Sequence, residues 1–498
     1  MRFSRPCWTH AFAISTLILS HLDVAQATWD LNSANSTCTK LVSQLGSALV
    51  VQTGPVYMIG VESAWSSFNS IRRPSCIVYP RTSTHVQVAM RAIYRDNVHY
   101  AVQSGGHSAM RGWNTVDDGV LIHFRFMKNV SYDAIKDTVT LEPGVRWGEA
   151  TAALQPFGVT TPGGRLGDIG TGLLLGGGLS YFSPAYGFSA DLLKEADVVL
   201  VDGRLVTATA TNQYSDLFRA LKGGANRFGI VTRYEMYAIH TGPPNTTPFY
   251  GGLIIYPEAQ AEALLNATAR YVRDVHDPNA AMLIALTFSN TNGAVVGTHM
   301  VTLFYRGTSL PAEVFGDFLR IPNSLNRTSP IDYTQACNLL GPGDDRGHGQ
   351  LFGASAFSGD VGLYHNAYLQ FKNFSTTFKS SLNGTVLAFT PIPESQTAAG
   401  RQRGGNAIDA PLRNYAAVQF YNQFVDDLTS VPGPVENGRQ LVLSRMPRSP
   451  GLPLYINECD SKQNAFSTYG GYDFLKRTYK KYDPTRFNVR FTDGPIGL

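Results

Sequence analysis

The feature that most constrains the fold is a short glycine-rich stretch, Ser104-Gly105-Gly106-His107-Ser108, directly after an apolar run. The run, Tyr100-Ala101-Val102-Gln103, has the length and apolarity of a buried strand. Adjacent glycines permit positive φ and let backbone N–H groups approach a ligand closely. A histidine is not needed to bind phosphate, but it can act as a nucleophile. The stretch therefore predicts a ligand-binding turn with one reactive side chain, His107.

A second glycine-dense segment runs from Pro162 to Gly172 and closes with Gly176-Gly177-Gly178. Loops this rich in glycine usually bring backbone close to a ligand, so the two loops together predict two sides of one extended cofactor. The simpler alternatives are a histidine that only supports a turn and a glycine-rich surface connection. A Rossmann site fits poorly, because neither loop contains a G-x-G-x-x-G that opens a helix after a strand.

The secondary-structure pattern around the first loop is that of a β-α-β unit. Residues 76–80 read as a strand, and Thr84 can cap a helix whose apolar positions recur at helical spacing. The next strand leads into His107, so the predicted turn lies at the carboxyl end of a strand, where α/β units tend to bind ligands. Further along, an Asp202-Gly203 turn between two apolar runs predicts a hairpin.

Four motifs in the same order resemble the berberine-bridge-enzyme-like branch of the FAD-linked oxidases, within the vanillyl-alcohol-oxidase superfamily. The resemblance covers nearly all of the chain after its leader. The motifs are Ser104–Ser108, the glycine-rich run 162–191, the strand Phe228–Thr232, and Tyr455–Asp460 with the Lys-Lys-Tyr-Asp-Pro that follows at 480–484.

The resemblance implies an α+β fold, in which a two-subdomain PCMH-type FAD-binding domain accompanies a substrate domain of antiparallel sheet covered by helices. We expect the FAD-binding domain over 28–240, the substrate-binding domain over 241–450, and a segment over 451–498 that returns to the FAD-binding domain. A change of composition at Thr241-Gly242-Pro243-Pro244 supports the first boundary. Polar, glycine-rich loops near 341–350 and 393–410 are candidate lids or pocket walls.

The cofactor implied by the resemblance is FAD, bonded covalently through its 8α-methyl group to His107. Many relatives add a second link from a cysteine in the second glycine loop. The corresponding stretch here, Gly164–Asp168, has no cysteine, so we expect a single link. The other cofactor-binding residues that we predict are Ser104, Gly105, Gly106, Ser108, Gly167, Asp168, Ile169, Gly170, Gly172, Gly177, Gly229, Ile230, Val231 and Asn457.

The catalytic candidates are Tyr455, Glu458 and Tyr181. Oxidation by a flavin moves a hydride from substrate carbon to the flavin, while the protein positions the substrate and handles the proton. Tyr455 and Asn457 form the Y-x-N pattern that resembled proteins place beside the isoalloxazine. Glu458 stands where many relatives carry tyrosine, so a carboxylate base and a tyrosine base both remain open. The alternative for each candidate is a packed side chain without a catalytic role.

The N-terminus has the pattern of a signal peptide over residues 1–27. Arg2 and Arg5 precede an apolar segment at 11–19 that is too short to span a bilayer, and Ala25-Gln26-Ala27 gives a small-x-small cleavage site. We therefore expect a secreted protein. The sequons predict a glycoprotein, and they begin at Asn35, Asn129, Asn245, Asn266, Asn326, Asn373 and Asn383.

Four cysteines remain once Cys7 leaves with the leader, and they allow three pairings. The resemblance favours Cys38–Cys76, with Cys337 and Cys459 free. The sequence has no Cys-x-x-Cys and no His/Cys cluster, so we expect no metal site.

The overall prediction is a secreted FAD-dependent oxidase. Its substrate would be a small molecule, either a secondary metabolite or a sugar-like alcohol, and O2 would be the acceptor. The chain has 498 residues and a net charge of only +4, without a basic stripe, so nucleic acid is not an expected partner. No membrane span or obligate protein partner is expected either. The alternatives are a dehydrogenase with another acceptor, a flavin-holding cyclase, and a non-enzymatic secreted protein whose flavin loops are empty.

Overall fold

The computed structural model describes residues 33–341 and 343–498. The predicted signal peptide lies outside these residues. Within this part of the chain, the structure contains no helix that is both long enough and apolar enough to cross a membrane.

The first sheet carries the glycine–histidine turn. It has the strand order β1-β2-β4-β3, with β2 and β3 parallel to β4 and β1 antiparallel to β2. Its strands are β1 (Val50–Val51), β2 (Cys76–Val78), β3 (Tyr100–Gln103) and β4 (Val120–His123). The accompanying helices are a helix over 33–45, α1 (Pro55–Glu62), α2 (Ser67–Ser70) and α3 (Ser83–Asp96).

The predicted β-α-β unit is confirmed, since α3 joins β2 to β3 and the chain then enters the loop with His107. The predicted cap of this helix is wrong by two residues. Thr82, with extended backbone, accepts a hydrogen bond from the His85 N–H, whereas Thr84 already lies inside the first turn.

The second sheet is antiparallel, with the order β5-β6-β10-β8-β9. The predicted hairpin is confirmed, and Gly203 adopts a φ of 81° in its turn. The strands are β5 (Val130–Asp133), β6 (Thr138–Leu141), β7 (Val159–Thr160), β8 (Leu193–Val199), β9 (Leu205–Thr209), β10 (Ile230–Tyr237) and β11 (Ile239–His240), of which β7 and β11 form a separate ribbon. The helices are α4 (Trp147–Leu154), α5 (Ser183–Tyr186) and α6 (Ser215–Leu221).

The third sheet is antiparallel and has the order β15-β12-β14-β13-β18-β19-β16, with β17 also paired to β19. Its strands are β12 (Phe249–Pro257), β13 (Ala280–Thr291), β14 (Ala294–Tyr305), β15 (Leu325–Ile331), β16 (Gln350–Leu351), β17 (Ala354–Phe357), β18 (Leu382–Ile392) and β19 (Tyr415–Phe424). The helices of this region are α7 (Ala261–Asp274), α8 (Ala312–Arg320), α9 (Tyr333–Ala336), α10 (Val361–Thr377), α11 (Glu394–Gln402) and α12 (Gly433–Arg445).

Helices cover one face of this third sheet. Leu264 of α7, Phe315 of α8 and Phe371 of α10 share a buried cluster with Leu303 of β14 and Phe420 of β19. The predicted α+β fold, with an antiparallel sheet covered by helices, is confirmed. Burial of these apolar side chains is the main stabilising contribution of the layer.

The interval 393–410 is not the continuous loop that its glycine and polar content suggested. It begins with α11, whose acidic Glu394 lies in the first turn and basic Arg401 in the last, an arrangement that suits the helix dipole. Ser395 then donates a hydrogen bond to the Pro184 carbonyl at 2.8 Å, which holds this helix against α5.

The C-terminal segment returns to the first sheet through α13 (Tyr472–Tyr482) and α14 (Phe487–Phe491). The buried Arg227 guanidinium donates to the Pro495 carbonyl at 2.7 Å and to Thr492 Oγ1 at 2.7 Å. On the other side, the Tyr100 hydroxyl of β3 donates to Asn488. The return therefore packs the C-terminal segment against β3 and against the turn that precedes β10.

The predicted disulfide Cys38–Cys76 is confirmed, with an S–S distance of 2.06 Å. It ties the helix over 33–45 to β2. Cys337 and Cys459 are free, and both are buried.

Candidate active site

A single extended cavity lies where the two glycine loops, β10, the third sheet and the C-terminal return come together. Most of the residues predicted to bind the cofactor line it. They are Ser104, Gly105, Gly106, His107, Ser108, Ile169, Gly170, Gly172, Gly229, Ile230, Val231 and Asn457.

The two glycine loops pack directly against each other at Gly105 and Gly170. A Cβ added to Gly105 would lie 2.6 Å from the Gly170 nitrogen, and one added to Gly170 would lie 2.3 Å from the Gly105 nitrogen. Both separations are well inside van der Waals contact, so this junction requires glycine on each side. The prediction that the two loops form two sides of one site therefore has a direct structural basis.

The first loop presents unused hydrogen-bond donors to the cavity. Within the described residues, the backbone N–H groups from Gly105 to Ser108 donate no hydrogen bond to the protein. Two cavity residues, Asn114 and Asn226, also hold a buried Oδ1 atom without a protein partner. Buried polar groups are normally paired, so these donors and acceptors fit a polar ligand such as FAD.

His107 is held by two contacts from distant parts of the chain. Its ring stacks on Trp65, with the ring centroids 4.2 Å apart and the planes inclined by 15°. Its Nε2 lies 3.0 Å from the Gly343 carbonyl oxygen. A carbonyl can only accept, so Nε2 carries the proton in this hydrogen bond. Burial lowers the pKa of His107, which favours the neutral ring and leaves a lone pair on Nδ1. The imidazole is thus oriented with one nucleophilic nitrogen.

Glu458 forms part of the cavity wall near the third sheet. It ends a short 3-10 turn over Ile456–Glu458, and its side chain makes no hydrogen bond within the described residues. Burial raises the pKa of Glu458 from its ordinary value of 4.5 to about 7, while the charge of Arg165 acts in the opposite direction. A carboxyl with such a pKa can exchange a proton at neutral pH, as a general base must.

Tyr455 and Asn457 also line the cavity. The Asn457 amide donates to the Tyr455 hydroxyl and to the Leu173 carbonyl, both at 3.0 Å. Burial raises the pKa of Tyr455 well above its usual range, so its phenol stays protonated at neutral pH. Of the two predicted bases in this segment, Glu458 is therefore the better proton acceptor.

Tyr181 does not line the cavity. Its buried hydroxyl donates to Thr302 Oγ1 at 3.2 Å, and its ring packs against Phe304. Burial raises the pKa of Tyr181 to about 12. These contacts describe a packed core tyrosine, which was the alternative to a catalytic role.

Three predicted cofactor residues lie beside the cavity rather than in its wall. Gly167 and Asp168 border a separate, open depression together with Arg146. There Arg146 Nη1 lies 3.5 Å from a carboxylate oxygen of Asp168 and 3.5 Å from one of Asp344. Gly177 adopts a φ of 99°, and a Cβ there would lie 2.7 Å from Ile408. Its role is to shape the turn rather than to touch a ligand.

Several wall residues were not among the predictions. Arg165, within the second glycine loop, lines the cavity, as do Leu283, Leu340, Phe352 and Gln419 from the third sheet and its loops. Arg165 is the single cation in the glycine-rich run 162–172, which is a signal that the sequence did contain. The others come from ordinary strand and loop positions, which carry no local mark of a site.

The chain is similar to known flavoproteins in sequence and in fold. A family model described as an FAD binding domain matches residues 74–209. An FAD-dependent monooxygenase from Arthrobotrys oligospora is 30% identical over 474 residues, which cover 92% of this chain and 89% of the relative.

Two solved structures illustrate the similarity of fold. The xylooligosaccharide oxidase from Myceliophthora thermophila C1, in complex with xylobiose, has a TM-score of 0.73 at 20% identity, covering 93% of this chain and 100% of that one. The glucooligosaccharide oxidase from Acremonium strictum, described with a 6-S-cysteinyl, 8α-N1-histidyl FAD, has a TM-score of 0.72 at 19% identity, covering 94% and 100%. At these identities the solved structures support the fold alone.

Proposed function

Because this chain belongs to the berberine-bridge-enzyme-like FAD-linked oxidoreductases of the vanillyl-alcohol-oxidase superfamily, we propose that it is a secreted oxidase of a small-molecule substrate. In this proposal FAD is linked covalently to His107, and O2 is the final acceptor. The observation that carries the proposal is the position of Glu458, an unpaired carboxyl with a pKa near neutrality in the wall of the cavity.

His107 would form the covalent link through Nδ1, because Nε2–H is engaged by the Gly343 carbonyl. Stacking on Trp65 fixes the plane of the ring. The backbone N–H groups of Gly105 to Ser108 would hold polar groups of the same cofactor. The Acremonium enzyme is described with a histidyl linkage as well as a cysteinyl one. In this chain the segment Gly164–Asp168 contains no cysteine, which supports a single link.

Bound FAD supplies the hydride acceptor for the substrate carbon. Glu458 would take the proton from the substrate, since it is the cavity carboxyl whose pKa lies near neutrality. Tyr455, protonated and fixed by Asn457, would donate a hydrogen bond or shape the pocket. A wall with a proton acceptor favours an oxidation over the flavin-holding cyclase, for which an apolar pocket would be sufficient.

A monooxygenase is the second candidate, because the Arthrobotrys relative carries that name. The two reactions differ in the fate of O2. An oxidase releases hydrogen peroxide and leaves no atom of O2 in the product, whereas a monooxygenase inserts one. Turnover under 18O2, followed by mass spectrometry of the product and a peroxide assay, separates them. We expect peroxide and an unlabelled product; a labelled product would assign the second candidate.

The cofactor proposal is tested by the spectrum of the purified protein. We expect flavin absorbance that stays with the protein after acid precipitation and is bleached by substrates under nitrogen. Flavin released wholly into the supernatant would refute the covalent link, and a protein without flavin would refute the function. Bleaching that reverses on admission of air supports O2 as acceptor, while a need for an added dye supports the dehydrogenase.

Export is proposed from the leader pattern and from the positions of the sequons. Asn35, Asn129, Asn245, Asn326 and Asn373 are exposed, as glycosylation requires. Asn266 and Asn383 are half-buried, and both make side-chain hydrogen bonds. Treatment of the secreted protein with an N-glycosidase should therefore lower its mass by removing glycans from the five exposed sites. N-terminal sequencing that does not begin after Ala27 would contradict the proposed signal peptide.

A further inference from the structure

We propose that Arg165 binds an anionic oxygen of the substrate, so that the substrate is an organic acid with an apolar body. This inference rests on the proposed function, since it assigns the substrate class of the same cavity. A carboxylate and an ionised enol or phenol share this chemistry, and the experiment below distinguishes them.

Arg165 has more hydrogen-bond donors than the protein uses. Its guanidinium lines the cavity, and its one hydrogen bond within the described residues runs from Nη1 to Thr390 Oγ1 at 2.9 Å. A guanidinium carries several N–H donors in a fixed fork that matches an oxyanion. The remaining donors of Arg165 are therefore available to a ligand in the cavity.

Arg165 also lacks an ionic partner in the described part of the chain. Two other half-buried arginines near the site are paired, Arg146 with Asp168 and Arg346 with Asp344. No described carboxylate oxygen lies within the 4.0 Å limit of an ion pair with Arg165. The Arg165 charge lowers the pKa of Glu458, but no ion pair joins the two, and a half-buried cation without a close ionic partner is costly. An anionic ligand would offset that cost, whereas a neutral polyol would not.

The position of Arg165 is fixed rather than adaptable. Thr390 belongs to β18 of the third sheet, so the hydrogen bond joins the second glycine loop to the wall on the far side. At the base of Arg165, a Cβ added to Gly164 would lie 2.9 Å from the Trp147 ring, which shows how closely the loop is packed. A side chain held at both ends loses little entropy on binding, which favours specific recognition.

The side of the cavity formed by the third sheet and its loops is largely apolar. Leu283, Leu340 and Phe352 face the cavity from the third sheet and its loops, and Gln419 is the one amide among them. A sugar chain would leave many hydroxyl groups unpaired against such a wall. An apolar body with one acidic oxygen matches both the wall and Arg165.

The test uses the flavin-loaded protein and pairs of anionic and neutral probes with the same aromatic body. Benzoate is compared with benzamide, 2-naphthoate with 2-naphthamide, and 4-nitrophenolate with nitrobenzene, with binding followed through the visible flavin spectrum and thermal stability. We expect the anions to bind more tightly than their neutral partners. Arg165→Gln should weaken anion binding about 10- to 100-fold, the usual worth of a charge-assisted hydrogen bond, and neutral binding by less than about threefold.

Two control variants keep the result interpretable. Arg165→Lys retains the charge and should recover part of the anion affinity, provided that flavin content is unchanged. Arg413→Gln removes the same charge at an exposed site and should leave binding unaltered. Preference for carboxylates over the phenolate, or the reverse, identifies which acidic oxygen is bound.

The proposal is overturned if no anion binds, if neutral probes bind equally well, or if Arg165→Gln leaves anion affinity unchanged. A colourless protein would instead refute the proposed flavin function, so the two failures are distinguishable.

Discussion

Glu458→Gln should remove the pH dependence of substrate oxidation below neutrality. The replacement keeps the size of the side chain and deletes its ability to take a proton. In the unmodified protein, the rate of flavin reduction should rise with the deprotonated fraction of Glu458 and level off above the pKa of about 7. In the variant, the rate should be about 10²- to 10⁴-fold lower and lack this rise.

The titration of Glu458 should also change the folding stability with pH. Burial raises the pKa of Glu458 from 4.5 in the unfolded chain to about 7 in the fold. Between these values the folded state holds the proton more tightly, so its free energy of unfolding falls as pH rises through this window. The full loss corresponds to about 3 kcal/mol. Glu458→Gln should therefore gain stability relative to the unmodified protein as pH increases from about 5 to about 8.

The assay is anaerobic stopped-flow reduction, expressed per bound flavin, over this pH range, together with urea unfolding at the same pH values. Glu262→Gln, at an exposed helical position, is the control for the loss of one charge and should change neither quantity. Reoxidation by O2 should also be little altered, because that step does not need a deprotonated substrate. If the flavin reduction rate of Glu458→Gln still rises with pH as it does in the unmodified protein, Glu458 is not the base. If the pH dependence of the free energy of unfolding is unchanged in the variant, the buried-carboxyl argument is refuted.

Three further predictions concern the cofactor and the neighbouring tyrosine. His107→Ala should release its flavin into the supernatant on acid precipitation, and peptide mass spectrometry of the unmodified protein should find the flavin adduct on the His107 peptide; an adduct elsewhere would contradict this. Peptide mapping should find no flavin–sulfur bond at Cys337 or Cys459, because both thiols are buried and burial raises their pKa. Tyr455→Phe should lower the reduction rate by less than about tenfold with flavin content unchanged, since a phenol that stays protonated is not the base; a loss as large as that of Glu458→Gln would reverse the assignment.

The part of the site that could be predicted from sequence is the part made by local backbone. The loop at Ser104–Ser108 follows its strand directly, and glycine marks positions where only bare backbone fits. Gly105 and Gly170 bear this out, because each leaves no room for a Cβ on the other. Such positions are recognisable without knowledge of the fold, since the constraint acts on the residue type itself.

The remainder depends on contacts between residues that are distant in sequence. The carbonyl that orients His107 belongs to Gly343, 236 residues further along the chain. Thr390, which anchors Arg165, is separated from it by 225 residues. Gly343 lies in the loop near 341–350 that was a candidate pocket wall, but its contact with His107 has no mark in the sequence, and Thr390 lies at an ordinary strand position. The prediction of Tyr181 as a catalytic residue was not supported for a related reason. Its position in the glycine-rich run does not show that its ring packs into the core against Phe304.

The cofactor loops and the third sheet differ in how easily they can change to accept a new substrate. The groups proposed to hold the cofactor lie mostly in the two glycine loops, where Gly105 and Gly170 leave no room for a side chain, so substitution of either glycine would disturb the fold. Leu283, Phe352 and Gln419 instead project from the third sheet and its loops, where one side chain can change without disturbing strand pairing. Arg165 is the exception, because it lies in a glycine loop yet is held by β18. A change at Thr390 would therefore reorient the cation while leaving the cofactor loop intact, which makes that position a direct route to altered specificity.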